Sequence, residues 1–116
     1  GVIDVGLDPF PFNGGATTCE SLWMGVPVVT RPGETFASRH SLSYLTTVGL
    51  TETIAAGLDE YVALAVELAT DVERLAELRA GLRERVAESP LCDGRRFAGN
   101  LANILRQVWR QRCERQ

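Results

Sequence analysis

Apolar positions fall in short runs separated by loop signals along the first half of the chain, and in steps of three and four along the second. "VIDVGLD" is a run of β-branched and apolar residues that ends at Asp8 and Pro9, as a buried strand entering a loop would. In "PFPFNGG" two prolines and two glycines interrupt regular structure, so residues 9–15 read as a loop. "ATTCESLWMG" then predicts a helix: Thr17 or Thr18 can cap it, Glu20 falls in its first turn where the macrodipole favours an acid, and Gly25 stops it. "VPVVTR" predicts a second buried strand. "ASRHSLSYLTTVG" predicts a second helix capped by Ser38 and ended by Gly49, and "LTETIAA" a weak third strand.

From Asp59 onward the pattern is helical throughout: "DEYVALAVELATD", then "DVERLAELRAGLRERVAES", a break at Ser89 and Pro90, and an arginine-rich last helix. Leu75, Leu78 and Leu82, extended by Val72 and Val86, draw a stripe expected to pack in the core. Strand, helix, strand, helix, strand implies right-handed crossovers and a parallel sheet covered by helices. The expected class is α/β, the second half of a doubly wound domain with about three short parallel strands and about five helices. Residues 1–116 form one unit, of which 1–57 are the βαβαβ part and 58–116 the C-terminal helices.

Composition narrows the chemistry. All twelve basic residues are arginine, so Schiff-base and lysine general-base chemistry have no residue here. Residues 1–94 hold six arginines against fourteen acids, whereas 95–116 hold six arginines against Glu114 alone. Such a basic tail can mark a nucleic-acid or membrane-surface patch. Here Phe97, Leu101, Ile104, Leu105, Val108 and Trp109 recur at helical spacing within it, which predicts a helix docked by that stripe with its arginines solvated or paired. Neither nucleic acid nor membrane is expected as a partner, and no apolar run approaches the roughly 20 residues that span a bilayer. Cys19, Cys92 and Cys113 are odd in number and widely spaced, which suits neither a disulfide framework nor a zinc site and fits a reduced, cytoplasmic setting. His40, the lone histidine, reads as a surface or helix-face residue. The chain starts at Gly1, directly on a strand-like run, and reads as a piece of a longer protein.

In a parallel sheet, ligands sit at the carboxyl ends of the strands, where loops enter helices. Gly14, Gly15, Ala16, Thr17 and Thr18 occupy such a place. Glycines let the backbone approach a ligand, and the amides at the start of a helix favour an anion such as phosphate. The threonines add hydroxyl donors, and Glu20 can accept from two neighbouring hydroxyls such as a ribose diol. From spacing alone the bland alternative stands equally: a glycine turn, a threonine cap and an acid serving the dipole. Neither the GxGxxG fingerprint nor the GxxxxGK[ST] phosphate loop is present.

"ESLWMGVPVV" is similar to the E-x-x-x-x-G-x-P segment of GT-B nucleotide-sugar glycosyltransferases. More narrowly, "DVGLDPFPFNGGATTCESLWMGVPVVTRPGETFASRHSLSYLTTVGL", continued by "LDEYVALAVELATD" and "SPLCD", resembles the C-terminal catalytic lobe of the O-GlcNAc transferase and SPINDLY family. The resemblance implies the C-terminal half of a GT-B Rossmann-like lobe. It places the diphosphate-binding loop on Gly15, Ala16, Thr17 and Thr18, and the ribose-binding acid on Glu20. Some relatives have a histidine where Gly15 stands and a threonine where Ala16 stands. "RPGETFASR" also follows the family pattern, with Glu34, Ser38 and Arg39 facing the sugar or bracing the loop. The activity implied is inverting transfer from a nucleotide sugar, UDP-GlcNAc or another such as GDP-fucose, to protein Ser or Thr. The resemblance further implies that no metal or other cofactor is used. The acceptor lobe, the base-recognising segment and tetratricopeptide repeats would lie upstream. By itself the fragment would be inactive, and no residue stands out as general base. Two alternatives remain: a GT-B enzyme with a non-protein acceptor, and a helical interaction module with a degenerate nucleotide loop.

Overall fold

In the computed structural model, which describes residues 3–115, β1 (Gly6–Leu7) and β2 (Val28–Val29) pair in parallel, Gly6 opposite Val28 and Leu7 opposite Val29. A parallel pair needs a crossover, and α1 (Ala16–Trp23) supplies it. Hydrogen bonds from Gly6 N to Pro27 O (2.8 Å) and Asp8 N to Val29 O (3.0 Å) flank the ladder. Beyond β2, Thr30 makes a parallel bridge with Ile54. Its amide donates to Thr53 O (3.0 Å) and its carbonyl accepts from Ala55 N (2.8 Å).

The sheet is therefore smaller than the sequence pattern predicts: two strands and a bridge stand where three strands are expected. "LTETIAA" spends Thr51–Thr53 on a 3-10 turn and pairs only around Ile54. In "VIDVGLD" only Gly6 and Leu7 are strand, and Val2 lies outside the described residues. Apolar character reports burial, whereas strand extent is set by a partner whose amides and carbonyls lie within reach.

Five α-helices are present among the described residues: α1, α2 (His40–Val48), α3 (Leu58–Thr70), α4 (Val72–Glu88) and α5 (Gly94–Glu114). Gly25 ends α1 as expected. Its φ of +78° is left-handed, and its amide and that of Val26 close on Leu22 O (3.1 Å) and Ser21 O (2.8 Å). A Cβ at Gly25 would also lie 2.7 Å from Arg79 O, so its absence lets α4 come against α1. Gly49 ends α2 in the same way, at φ +79°. The start signals fall elsewhere than expected. Gly15, not a threonine, is the N-cap of α1, and it offers no side-chain bond. Glu20 is then the fifth helical residue, past the first turn. Ser38 belongs to a separate 3-10 turn, Phe36–Ser38, and Arg39 is the N-cap of α2. Asp71 and Asp93 do cap by side chain, accepting from Arg74 N (3.0 Å) and Arg96 N (2.9 Å).

Leu22 of α1, Val28 of β2, Leu45 and Val48 of α2, Leu50, and Leu82 and Val86 of α4 make the core. The expected α4 stripe is buried at Leu82 and Val86 and half-buried at Leu75 and Leu78. It fails at Val72, which opens the helix and is 72% exposed. The larger departure is α5. Its stripe is left uncovered among the described residues: exposure runs from 44% at Leu101 to 70% at Trp109. The helix leaves the core after the turn at Pro90–Cys92, and the molecule measures 60 × 29 × 19 Å.

Candidate functional site

Two loops meet at the carboxyl edge of the sheet: residues 9–15 after β1, and 31–39 after β2. Main chain joins them, Asn13 N donating to Ala37 O at 2.9 Å. Beneath them lie most of the buried polar side chains of the described residues: Asp8, Asn13, Thr18, Thr30, Ser38 and Ser41. Burying so many polar groups in a small core costs free energy unless each is paired, and here most are. Asp8 Oδ1 accepts from Gly14 N (2.8 Å) and Oδ2 from Thr30 Oγ1 (2.6 Å). Thr18 Oγ1 and Ser41 Oγ share a hydrogen bond of 3.0 Å, and Ser41 Oγ also donates to Gly14 O at 3.4 Å. Asn13 Nδ2 donates to Pro9 O (2.9 Å), while its buried Oδ1 has no donor among the described residues.

This network shapes the loop that the sequence singles out. Gly14 is enclosed: a Cβ there would lie 2.5 Å from Thr18 Oγ1 and 2.9 Å from Thr17 Oγ1. Gly15 is open, with no heavy atom within 4 Å of the same added atom. Gly15, Ala16 and Thr17 open α1, and their amides find no acceptor among the described residues. Thr17 is exposed, beside a recess of about 120 Å³ that Asp8, Gly14, Thr18 and Ser21 also line. Thr18 differs, because its hydroxyl is engaged with Ser41 in the interior. The residues taken together from sequence thus divide into an outward part, Gly15–Thr17, and an inward brace, Thr18.

Glu20 is exposed one turn along, and its carboxylate makes no hydrogen bond or ion pair among the described residues. It lines a separate apolar hollow of about 650 Å³ with Cys19, Trp23, Met24, Leu91 and Cys92. Burial, with a smaller contribution from Cys92, holds the Cys19 thiol above its ordinary value and so protonated at neutral pH. On the second loop, Ser38 Oγ donates to Thr35 O (2.9 Å) and accepts from Thr35 N (3.1 Å), and Arg39 Nη1 donates to Gly33 O (2.9 Å). Ser38 and Arg39 accordingly brace the turn, whereas Glu34 is exposed on it. His40 stands among the rings of Phe36 (4.6 Å), Phe12 (6.1 Å) and Tyr44 (6.5 Å). Among the described residues no group of three or more His, Cys, Asp or Glu side chains is placed to hold a metal ion.

Sequence reasoning does not single out Asp8, Thr30 or Ser41. A usable signal exists for the first two, since each is the polar residue at the end of a buried strand run, where it enters the carboxyl edge of the sheet.

Comparison with known proteins follows the same lines. Residues 1–101 match the family model described as glycosyl transferase family 41. The chain is 50% identical over 113 residues to a Petunia hybrida protein named probable UDP-N-acetylglucosamine–peptide N-acetylglucosaminyltransferase SPINDLY, covering 97% of this chain and 12% of that protein. A Caenorhabditis elegans protein named UDP-N-acetylglucosamine–peptide N-acetylglucosaminyltransferase is 38% identical over 108 residues, 93% of this chain and 9% of that one. The solved structure of a mutant O-GlcNAc transferase from Thermobaculum terrenum superposes with a TM-score of 0.89 at 39% identity, over 97% of this chain and 22% of that chain. The chain thus spans about an eighth of the length of the curated plant relative. With a family match over most of its residues and a solved relative of the same fold, the chain belongs to glycosyl transferase family 41.

Proposed function

We propose that the protein carrying this chain is an inverting glycosyltransferase that moves N-acetylglucosamine from UDP-N-acetylglucosamine to Ser or Thr of a protein. This chain supplies part of its donor site. The observation that carries the reading is the start of α1, where among the described residues the amides of Gly15, Ala16 and Thr17 have no acceptor and the Glu20 carboxylate, one turn on, has no partner, while the Thr17 hydroxyl is exposed. Amides at a helix start and a hydroxyl suit a diphosphate, and a free carboxylate suits a ribose diol. The names of the relatives support the donor and acceptor classes.

In such a transfer the acceptor hydroxyl oxygen bonds to the anomeric carbon and yields its proton to a base not assigned within this chain, as the bond from that carbon to the diphosphate oxygen breaks. Negative charge then grows on the diphosphate. The α1 amides and Thr17 bind it more strongly in the transition state than in the ground state, which is how they would raise turnover. Ala16 contributes an amide and no hydroxyl. The base-recognising and acceptor-binding parts are assigned to preceding regions of the protein, with tetratricopeptide repeats presenting the acceptor, and the setting is taken as cytoplasmic.

Equilibrium titration of the full-length protein with UDP and GDP tests the reading. Saturable binding of UDP, tighter than that of GDP, is expected. Binding of neither nucleotide removes the donor-site assignment, and a preference for GDP replaces the donor.

A further inference from the structure

Asp8 is 2% exposed and is the only acid in the buried set among the described residues, yet no cation neutralises it there. We propose that Asp8 is a positioning residue for the donor diphosphate, fixing the phosphate loop through Gly14 from below while Thr30 fixes Asp8. The proposal rests on the diphosphate reading above.

The geometry makes Gly14 the anchored point of the loop. Its amide is held by Asp8 Oδ1 at 2.8 Å and its carbonyl by Ser41 Oγ at 3.4 Å. Gly14 N–H is turned inward to a carboxylate, and the next three amides, at the helix start, have no acceptor among the described residues. Asp8 is fixed in turn at its other oxygen by the Thr30 hydroxyl (2.6 Å), on a residue with 0% exposure at the end of β2. One carboxylate therefore ties both strand ends to the loop that precedes α1. Hydrogen bonds to an ionised acceptor are about twice as strong as neutral ones, so this tie is stiffer than an asparagine would make.

The charge itself argues that position is what Asp8 contributes. A negative group under an anion site repels the anion, so a carboxylate present for its field alone would weaken diphosphate binding. The two roles predict opposite signs for Asp8→Asn. Losing position weakens diphosphate binding, and losing repulsion tightens it.

The test titrates the full-length protein and its Asp8→Asn, Thr30→Val and Thr30→Ser variants with UDP and with uridine. Valine keeps the shape of Thr30 and removes the hydroxyl, whereas serine keeps the hydroxyl. Asp8→Asn and Thr30→Val are expected to bind UDP roughly tenfold more weakly, the scale of one charge-assisted hydrogen bond, and to bind uridine as the wild type does. Thr30→Ser should retain the wild-type preference for UDP over uridine, although it loses a buried methyl. Unchanged or tighter UDP binding by any folded Asp8→Asn or Thr30→Val variant overturns the assignment. A parallel loss of UDP and uridine binding also overturns it and leaves Asp8 a fold-supporting residue. If Asp8→Asn does not fold, Thr30→Val decides alone. A wild-type protein that binds UDP no better than uridine fails differently, because it removes the diphosphate reading and this proposal with it.

Discussion

Replacing Gly14 by alanine tests the loop mechanically. The added methyl would sit 2.5 Å from Thr18 Oγ1, 2.9 Å from Thr17 Oγ1 and 3.3 Å from Asp8 Oδ1. Thr17 is exposed and can rotate away. Thr18 cannot do so cheaply, since it is 3% exposed and bonded to a Ser41 that is 0% exposed. Moving it breaks that hydrogen bond and strands buried hydroxyls, at about 1–3 kcal/mol. Forcing a methyl into a filled space costs about 1–3 kcal/mol more. Gly14 does not have positive φ, so no backbone strain adds to this. The two costs share the same displacement, which puts the expected loss at about 2–4 kcal/mol. Gly15→Ala is the control: its methyl meets nothing within 4 Å, so stability should change by less than about 0.5 kcal/mol. If the diphosphate seats on the amides at the start of α1, as proposed, that methyl crowds it, so UDP affinity should fall. Denaturation and UDP titration of both variants in the full-length protein give a crossed result, stability lost at Gly14 and affinity alone lost at Gly15. A Gly14→Ala protein as stable as wild type would refute the claim that the loop floor is rigid.

Four further outcomes are expected. Glu20→Gln should weaken binding of UDP far more than that of its 2′,3′-dideoxy analogue, and equal losses would mean that Glu20 does not hold the diol. Thr17→Ala should lower single-turnover rate as well as UDP affinity with little change in melting temperature, because Thr17 is exposed and caps nothing; a fully active variant ends its phosphate role. Gly25→Ala should cost about 2–4 kcal/mol, combining a left-handed φ of +78° with a Cβ 2.7 Å from Arg79 O, and a melt unchanged within error contradicts the α1–α4 approach described above. Tyr61, whose hydroxyl donates to Asp8 O at 3.0 Å, has its pKa raised above 10.0 by burial and then by the Asp8 charge. Its proton is held more tightly in the folded state, so this contribution is complete below about pH 10 and is lost as pH rises through the folded value; Tyr61→Phe should flatten the alkaline limb of a stability–pH curve.

The order of elements and the loops at the carboxyl edge of the sheet are legible in the sequence because they depend on local signals. Loop residues 9–15, the helix after them, and the stops at Gly25 and Gly49 follow from glycine and proline chemistry that needs no tertiary partner. Starts are less legible. Thr17 and Thr18 look like caps, but the N-cap falls two or three residues earlier, at Gly15, and Thr18 is drawn inward by Ser41, which is 23 residues away. Strand length fails for a similar reason, since the third run pairs at only one residue. Among the candidate residues, Gly15, Ala16, Thr17 and Glu20 emerge on the surface, and Ser38 and Arg39 as braces. Asp8 and Thr30 can be noticed in the sequence as polar ends of strand runs, but their pairing with each other and with Gly14 is recognisable only after the sheet has brought two strand ends together.

The undocked α5 bears on how this chain should unfold. A compact chain of this length would have a radius of gyration of about 13 Å, whereas this one has 17.1 Å. Denaturant sensitivity and the heat capacity of unfolding both scale with surface that is hidden when folded and wetted when not. Along α5 the apolar side chains are already wet, so melting its 21 residues releases backbone hydrogen bonds and uncovers little hydrocarbon. For this chain the calorimetric increment should therefore fall below the usual figure of about 12–15 cal/mol/K per residue, and the urea dependence should be that of a domain shorter by one long helix.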